Sequence, residues 1–79
     1  MPKRIRVEGL SMSTTPSTLQ AGFTGFGPLV RCQLEFDDNG LSLGVAHLEY
    51  DATQAGATAI ATMNNRPFDG ATISVCEDS

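Results

Sequence analysis

The stretch Leu43–Tyr50, with the sequence LGVAHLEY, decides the fold of this chain. Its even-numbered residues are all small or apolar, whereas its odd-numbered residues are mixed in character. A period of two is typical of a β-strand with one buried face and one open face. The dipeptide Asn39-Gly40 precedes this stretch and follows the alternating run Leu29 to Phe36, which is a strong hairpin signal. We therefore predict that Leu43–Tyr50 is the second arm of a hairpin and a central strand of a sheet.

The length and the net charge of the chain limit the classes of protein to which it can belong. The chain has 79 residues, of which 41% are hydrophobic, and this is enough for one small core. Five Lys and Arg residues against nine Asp and Glu residues give a net charge of -4, which argues against a general polyanion binder. No apolar run has the length of a membrane span, and the first residues lack a signal-peptide core. We expect one domain over residues 1–79, excised from a longer protein.

Two helices are predicted on either side of this hairpin. Thr15 supplies a hydroxyl cap and Pro16 a proline at the first helical position, and apolar residues then follow at helical spacing. Gly27-Pro28 should end this first helix. Asp51, with Gln54 three residues later, predicts a capping box at the start of a second helix.

Three further runs alternate as strands do: Lys3–Gly9, Leu29–Phe36 and Ala71–Cys76. The order strand, helix, strand, strand, helix, strand is the split βαβ pattern. We therefore predict an α+β fold, a ferredoxin-like βαββαβ sandwich. Its four-stranded antiparallel sheet should have the order 4-1-3-2, with two helices on one face and the other face open. The predicted core residues are Val7, Phe23, Cys32, Leu34, Ala46, Leu48, Ile60, Ile73 and Val75.

On these motifs the sequence resembles the RNA recognition motif (RRM) family over essentially its whole length. Ile5–Leu10 lies where that family has its hexamer motif, and Leu43–Tyr50 lies where it has its octamer. Ser42–Ala46 and Asn64–Gly70 look most like the ALY/REF group of mRNA-export adaptors. The resemblance implies a module of an RNA-processing or mRNA-export protein, with single-stranded RNA and other RNA-processing proteins as partners. It implies the nucleus as the compartment, with a mitochondrial RNA-processing complex as the alternative.

The chain differs from other members of that family at the sheet positions on which RNA bases stack. Members that bind RNA firmly carry aromatic rings at three sheet positions, and stacking is worth about 1 to 3 kcal/mol per base. This chain has no aromatic ring at any of the three. We therefore expect weak binding of single-stranded RNA through the open sheet face, by arginine and histidine in place of the rings. The predicted RNA-binding residues are Arg6, Val45 and His47 at these positions, supported by Arg31, Lys3 and Arg4.

The predicted strand order would place His47 between Arg6 and Arg31 on the open face, forming a basic stripe. Three acidic residues share that face by parity: Glu8, Glu35 and Glu49. They could pair with the arginines and leave a neutral, mixed surface instead. The sequence alone leaves both outcomes open.

A second hypothesis concerns Arg66-Pro67-Phe68. An arginine and a phenylalanine at this spacing resemble the signature of UHM domains, which are RRM variants that bind a tryptophan-bearing peptide. That resemblance implies peptide binding by Arg66, Phe68 and the helical face. UHM domains also carry acidic residues on the first helix, and Thr15–Gly27 contains none. The same residues followed by Asp-Gly are also ordinary turn chemistry.

No catalytic or metal-binding constellation is recognisable in the sequence. Acylphosphatases share this topology, but they need an arginine in the loop after the first strand, and Gly9–Ser13 has none. One histidine and two cysteines, Cys32 and Cys76, lack the spacing of a four-ligand zinc site. We therefore expect a binding module that is not an enzyme and has no cofactor, no metal and no small-molecule substrate.

Overall fold

The computed structural model describes residues 1–78 and contains one antiparallel sheet and two helices. The elements in chain order are β1 (Lys3–Glu8), α1 (Pro16–Phe23), a 3₁₀ turn (Thr24–Phe26), β2 (Leu29–Phe36), β3 (Ser42–Tyr50), α2 (Thr53–Met63), β4 (Arg66–Phe68) and β5 (Ala71–Glu77). This arrangement is the predicted ferredoxin-like fold. Within residues 1–78 no helix is long and apolar enough to cross a membrane.

The sheet has five strands, so the prediction of four was wrong. Its order is β2-β3-β1-β5-β4, which keeps the predicted arrangement and adds β4 outside the last long strand. In β4, Arg66 pairs with Ile73 and Phe68 pairs with Ala71 of β5. Pro67 cannot donate a backbone hydrogen bond, and it is tolerated because β4 lies at the edge of the sheet.

The core lies between the sheet and the two helices. Seven of the nine predicted core residues are buried there: Val7, Phe23, Leu34, Ala46, Leu48, Ile73 and Val75. The other two, Cys32 and Ile60, are partly buried and pack against this cluster. Burial also raises the pKa of the Cys32 thiol. The alternation of apolar residues along β1, β3 and β5 thus correctly placed the buried face of the sheet.

Strand β2 is less regular than its sequence indicates. Its pairing with β3 shifts between Leu29 and Arg31 and again between Leu34 and Phe36. A bulge inserts an unmatched residue and interrupts the alternation of side chains. Val30 and Phe36, which share the parity of buried Leu34 in the sequence, are therefore 58% and 50% exposed. Leu29 packs against the core instead.

The two helix starts differ in how well the sequence predicted them. Thr15 caps α1, because its hydroxyl oxygen accepts a 3.2 Å hydrogen bond from the backbone N–H of Thr18. The predicted capping box at Asp51 was wrong. Helix α2 begins at Thr53, so Ala52 holds the cap position and no side chain caps the helix.

Candidate nucleic-acid interface

The helices cover one side of the sheet, and the other side is the open face. Its side chains alternate with those of the core, and all are exposed or half-buried. They are Arg4, Arg6 and Glu8 from β1, Arg31, Gln33 and Glu35 from β2, Val45, His47 and Glu49 from β3, and Thr72, Ser74 and Cys76 from β5.

The strand register decides which of these side chains are neighbours. His47 on β3 is paired with Arg6 on β1, as the sequence predicted. On its other side His47 is paired with Gln33 and not with Arg31, which is paired with Glu49. The expectation that His47 lies between two arginines was wrong, because strand order alone does not fix the register of a hairpin that contains bulges.

His47 is held between two carboxylates. Its Nδ1 lies 2.7 Å from Oδ2 of Asp78, and its Nε2 is hydrogen-bonded to Oε2 of Glu35. These hydrogen bonds raise the pKa of His47 above its ordinary value, and the bond to Asp78 contributes more than the bond to Glu35. Partial burial lowers the pKa but does not cancel this rise. A protonated imidazole donates from both nitrogens. We call the chain Glu35–His47–Asp78 the His47 bridge.

The His47 bridge crosses most of the open face. Glu35 lies on β2, His47 on β3, and Asp78 directly follows β5. The backbone N–H of Asp78 donates a 3.0 Å hydrogen bond to the carbonyl of Arg4, which extends the pairing of β5 with β1 by one residue. Since β1 lies between β3 and β5, the Asp78 carboxylate reaches over β1 to His47. The bridge therefore links both outer long strands to the centre of the sheet.

The arginines of the open face differ in their partners. Arg6 Nε lies 3.3 Å from the Glu8 carboxylate, and this nitrogen is buried without an aligned hydrogen bond. Arg4 and Arg31 are exposed, and each is paired across the sheet with Glu49. Within residues 1–78 neither forms an ion pair. Arg4 and Arg31 are thus the cations of the open face that are free to meet a phosphate.

Lys3 lies on the opposite side of the sheet from the other predicted RNA-binding residues. It alternates with Arg4 on β1 and shares the parity of Ile5, which is buried. A side chain at Gly56 in α2 would collide with the Lys3 stem, and Lys3 Nζ lies 2.6 Å from the Glu77 carboxylate. Lys3 is therefore packed beside α2, apart from the open face.

The two residues of the peptide-binding hypothesis lie on the same side of β4 but differ in exposure. Arg66 is exposed, and it lies on the helix side of the sheet because it is paired with buried Ile73. The Phe68 ring packs edge-on against the Phe23 ring, with 5.6 Å between centroids, and it fills the space beside Gly22 in α1. Phe68 is thus part of the packing between β4 and α1.

Asp78 is the residue of this site that the sequence analysis missed. No motif marks it, because an aspartate after a strand is an ordinary feature of a soluble domain. Its signal is parity, since Asp78 follows Ser74 and Cys76 in steps of two and so continues the open side of β5. Its contact with His47 spans two strands, and sequence spacing does not reveal contacts of that kind.

An antiparallel sheet with helices on one face, and with arginine and histidine at the centre of the other, defines a ferredoxin-like domain with an open, polar sheet face. The RNA recognition motif family matches residues 5–74, and the chain belongs to this family.

The chain is similar to two kinds of plant protein. It is 39% identical over 69 residues to Organelle RRM domain-containing protein 1, chloroplastic, of Arabidopsis thaliana, covering 86% of this chain and 18% of that protein. It is 36% identical over 75 residues to the Arabidopsis thaliana small ribosomal subunit protein mS86, covering 94% of this chain and 48% of that protein. The chain thus spans less than half the length of either relative. Neither relative is named as an ALY/REF adaptor, so the similarity does not support this narrower expectation.

Solved structures show the same fold. The Rna15 RRM with bound RNA (GU) matches with a TM-score of 0.87 at 18% sequence identity, over 96% of this chain and 82% of that chain. At this identity the likeness establishes the fold alone.

Proposed function

We propose that this domain binds single-stranded RNA through its open face. The observation that carries the proposal is the direct pairing of Arg6 and His47 on the two central strands, with Val45 further along β3. These are the positions at which RRM domains stack bases. The exposed Arg4 and Arg31 lie beside them and can meet the phosphates of the same strand.

The same residues predict that binding is weak. None of the three stacking positions has an aromatic ring, and each missing ring removes about 1 to 3 kcal/mol of stacking. Both nitrogens of His47 are engaged in the His47 bridge, so in the free domain neither of them can donate a hydrogen bond to RNA. Arg6 is partly neutralised by Glu8. Lys3, which is paired with Glu77 on the helix side, is left out of this proposal.

We further propose a binding module without catalytic activity that works in an organelle, on RNA processing or beside ribosomal components. The support is the similarity to proteins named as chloroplastic organelle RRM proteins and as a small ribosomal subunit protein. These names favour an organelle, including the mitochondrial alternative, over the expected nuclear location and mRNA export. Other RNA-processing proteins remain proposed partners.

Peptide binding by Arg66 and Phe68 is less well supported. A peptide-binding signature needs its aromatic residue available to the ligand, and Phe68 is packed against Phe23. We therefore treat this alternative as an outcome that the RNA experiments can reveal.

Arginine variants test the proposal. A short, fluorescently labelled single-stranded RNA of random sequence is titrated with the wild-type domain and with Arg31→Ala and Arg66→Ala. Both variants lose one exposed arginine, but only Arg31 lies on the open face. Arg31→Ala should weaken binding and should flatten the slope of log affinity against log salt by about 0.7. Equal weakening by Arg66→Ala would place the RNA elsewhere.

For the wild-type domain, the slope of log affinity against log salt tests how many phosphates are contacted. Arg4, Arg6, Arg31 and protonated His47 are the cations available on the open face. Each neutralised phosphate of a single strand contributes roughly -0.7, so the slope should be no steeper than about -3.

A further inference from the structure

We propose that Asp78 competes with RNA for His47. In the free domain the Asp78 carboxylate is hydrogen-bonded to His47, and it leaves when RNA binds. This inference rests on the proposed RNA-binding function and adds a regulatory contact to the same site. It concerns the half of the His47 bridge that joins His47 to Asp78.

The Asp78 carboxylate lies in the space that RNA bound to the open face would need. The Asp78 carboxylate reaches over β1, and its Oδ2 is hydrogen-bonded to Nδ1 of His47 at 2.7 Å. A base that lies across His47 and Arg6 needs the space above β1 and β3, and these two residues are direct neighbours. A phosphate oxygen carries the same charge as a carboxylate and would need the same N–H donor. RNA and Asp78 therefore exclude each other at His47.

Asp78 is the more readily released of the two carboxylates. Glu35 lies inside β2 at a shift in the pairing, but the residues on both sides of it, Leu34 and Phe36, are paired with β3. Asp78 follows the last residue of β5, and within residues 1–78 its backbone makes one hydrogen bond, to the Arg4 carbonyl. Opening at the end of a strand needs far less free energy than opening within it. The competitor can thus leave without disturbing the sheet.

The proton on His47 controls the strength of the competition. The charged or titratable groups that face His47 are Arg4 and Arg6 on β1, Arg31 and Glu35 on β2, Glu49 on β3, and Cys76 and Asp78 on or after β5. While the ring is protonated, it donates to both carboxylates. When pH rises through the raised pKa of His47, the ring keeps one proton and can hold only one of them. The competition should therefore fade at high pH.

Two variants that each remove one carboxylate provide the test. Asp78→Ala removes the competitor, and Glu77→Ala is the matched control, because Glu77 is the adjacent residue but pairs with Lys3 on the helix side. A short, labelled, random-sequence single-stranded RNA is titrated with both variants and the wild type near pH 6.5 and well above it. At the lower pH, Asp78→Ala should bind about three- to tenfold more tightly than wild type, and Glu77→Ala less than about twofold. At the higher pH the two variants should converge.

The histidine ring gives a readout that needs no RNA. The pKa of His47, followed by NMR of its ring signals, should fall in Asp78→Ala and stay unchanged in Glu77→Ala. If the pKa falls while the two variants bind RNA equally well, RNA does not displace Asp78 and the inference is wrong. Weaker RNA binding by Asp78→Ala would make Asp78 a contact to RNA, which also overturns it. If neither the wild type nor any variant binds RNA, the proposed function itself fails, and the competitor with it.

Discussion

The hydroxyl of Tyr50 donates a hydrogen bond of 2.6 Å to the backbone carbonyl oxygen of Phe23, and both residues are fully buried. This contact ties the end of the central strand β3 to the end of α1. Burial also raises the pKa of Tyr50 well above its ordinary value, so the hydroxyl stays protonated and remains a donor.

Replacing Tyr50 with phenylalanine should measure this contact. The ring volume is kept, but the Phe23 carbonyl loses its partner in a dry interior, which should lower the free energy of unfolding by about 1 to 3 kcal/mol. Urea denaturation gives the value. Thr62→Val, which removes a hydroxyl from the exposed side of α2, is the control and should change little. Equal midpoints for Tyr50→Phe and wild type would contradict the buried hydrogen bond.

The two faces of β3 predict opposite outcomes for two leucine substitutions. Leu48 is 1% exposed and Leu43 is 53% exposed. Leu48→Ala should destabilise the domain by about 2 to 5 kcal/mol, because it leaves a cavity in the core. Leu43→Ala should stay within about 0.5 kcal/mol of wild type. Thermal or chemical denaturation of the pair checks the assignment, and a similar loss for both would mean that the strand faces are wrongly placed.

Gly44 occupies a position where any other residue would strain the backbone and press against Leu10. Its φ is +72°, and a Cβ there would lie 2.8 Å from the Leu10 carbonyl oxygen. Gly40 has a similar φ of +81° but open space around it. Gly40→Ala should therefore cost about 1 to 2 kcal/mol for backbone strain alone. Gly44→Ala should cost roughly 1 to 3 kcal/mol more, because Leu10 must also move. Comparable denaturation midpoints for the two variants would argue against the close approach of Leu10.

The sequence predicted most of this fold because alternation along a strand reports burial directly. Tyr50, Leu48 and Ala46 fall on one parity, and all three are buried. Strand β4 was missed because Arg66-Pro67-Phe68 before Asp-Gly has the composition of a turn, and three residues are too few for a periodic signal. The exposure of Val30 depends on a bulge, which is a property of the pairing with β3 and not of β2 alone.

The candidate site was predicted in part. Arg6 and His47 were correctly placed side by side, since the order of the two central strands follows from the fold. Lys3, which was predicted to support RNA binding, lies on the helix side, as its parity with Ile5 indicates. Asp78 was missed because its contact with His47 depends on how far a side chain reaches across β1.

The stability of the domain should depend on the protonation of His47. The pKa of His47 is raised in the folded state by Asp78 and Glu35, whereas the unfolded chain has an ordinary value of about 6.5. The His47 bridge therefore contributes its full stability below about pH 6.5 and loses it as pH rises through the higher folded-state pKa. The difference in unfolding free energy between wild type and His47→Gln should be larger near pH 6 than near pH 9. Denaturation of both at the two pH values checks this, and a difference that does not vary with pH would contradict it.

The most direct test of the central claim is a titration of the ¹⁵N-labelled domain with short single-stranded RNA, followed by amide chemical shifts. We predict saturable changes in amide chemical shift centred on β1 and β3, around Arg6 and His47. These changes should extend to Arg4 and Arg31 and should become smaller as salt is raised. Double-stranded RNA should cause smaller changes, because a sheet face contacts splayed bases better than a closed helix. Changes confined to α1, α2 and the region of Arg66 and Phe68 would contradict the claim and favour a peptide-binding domain.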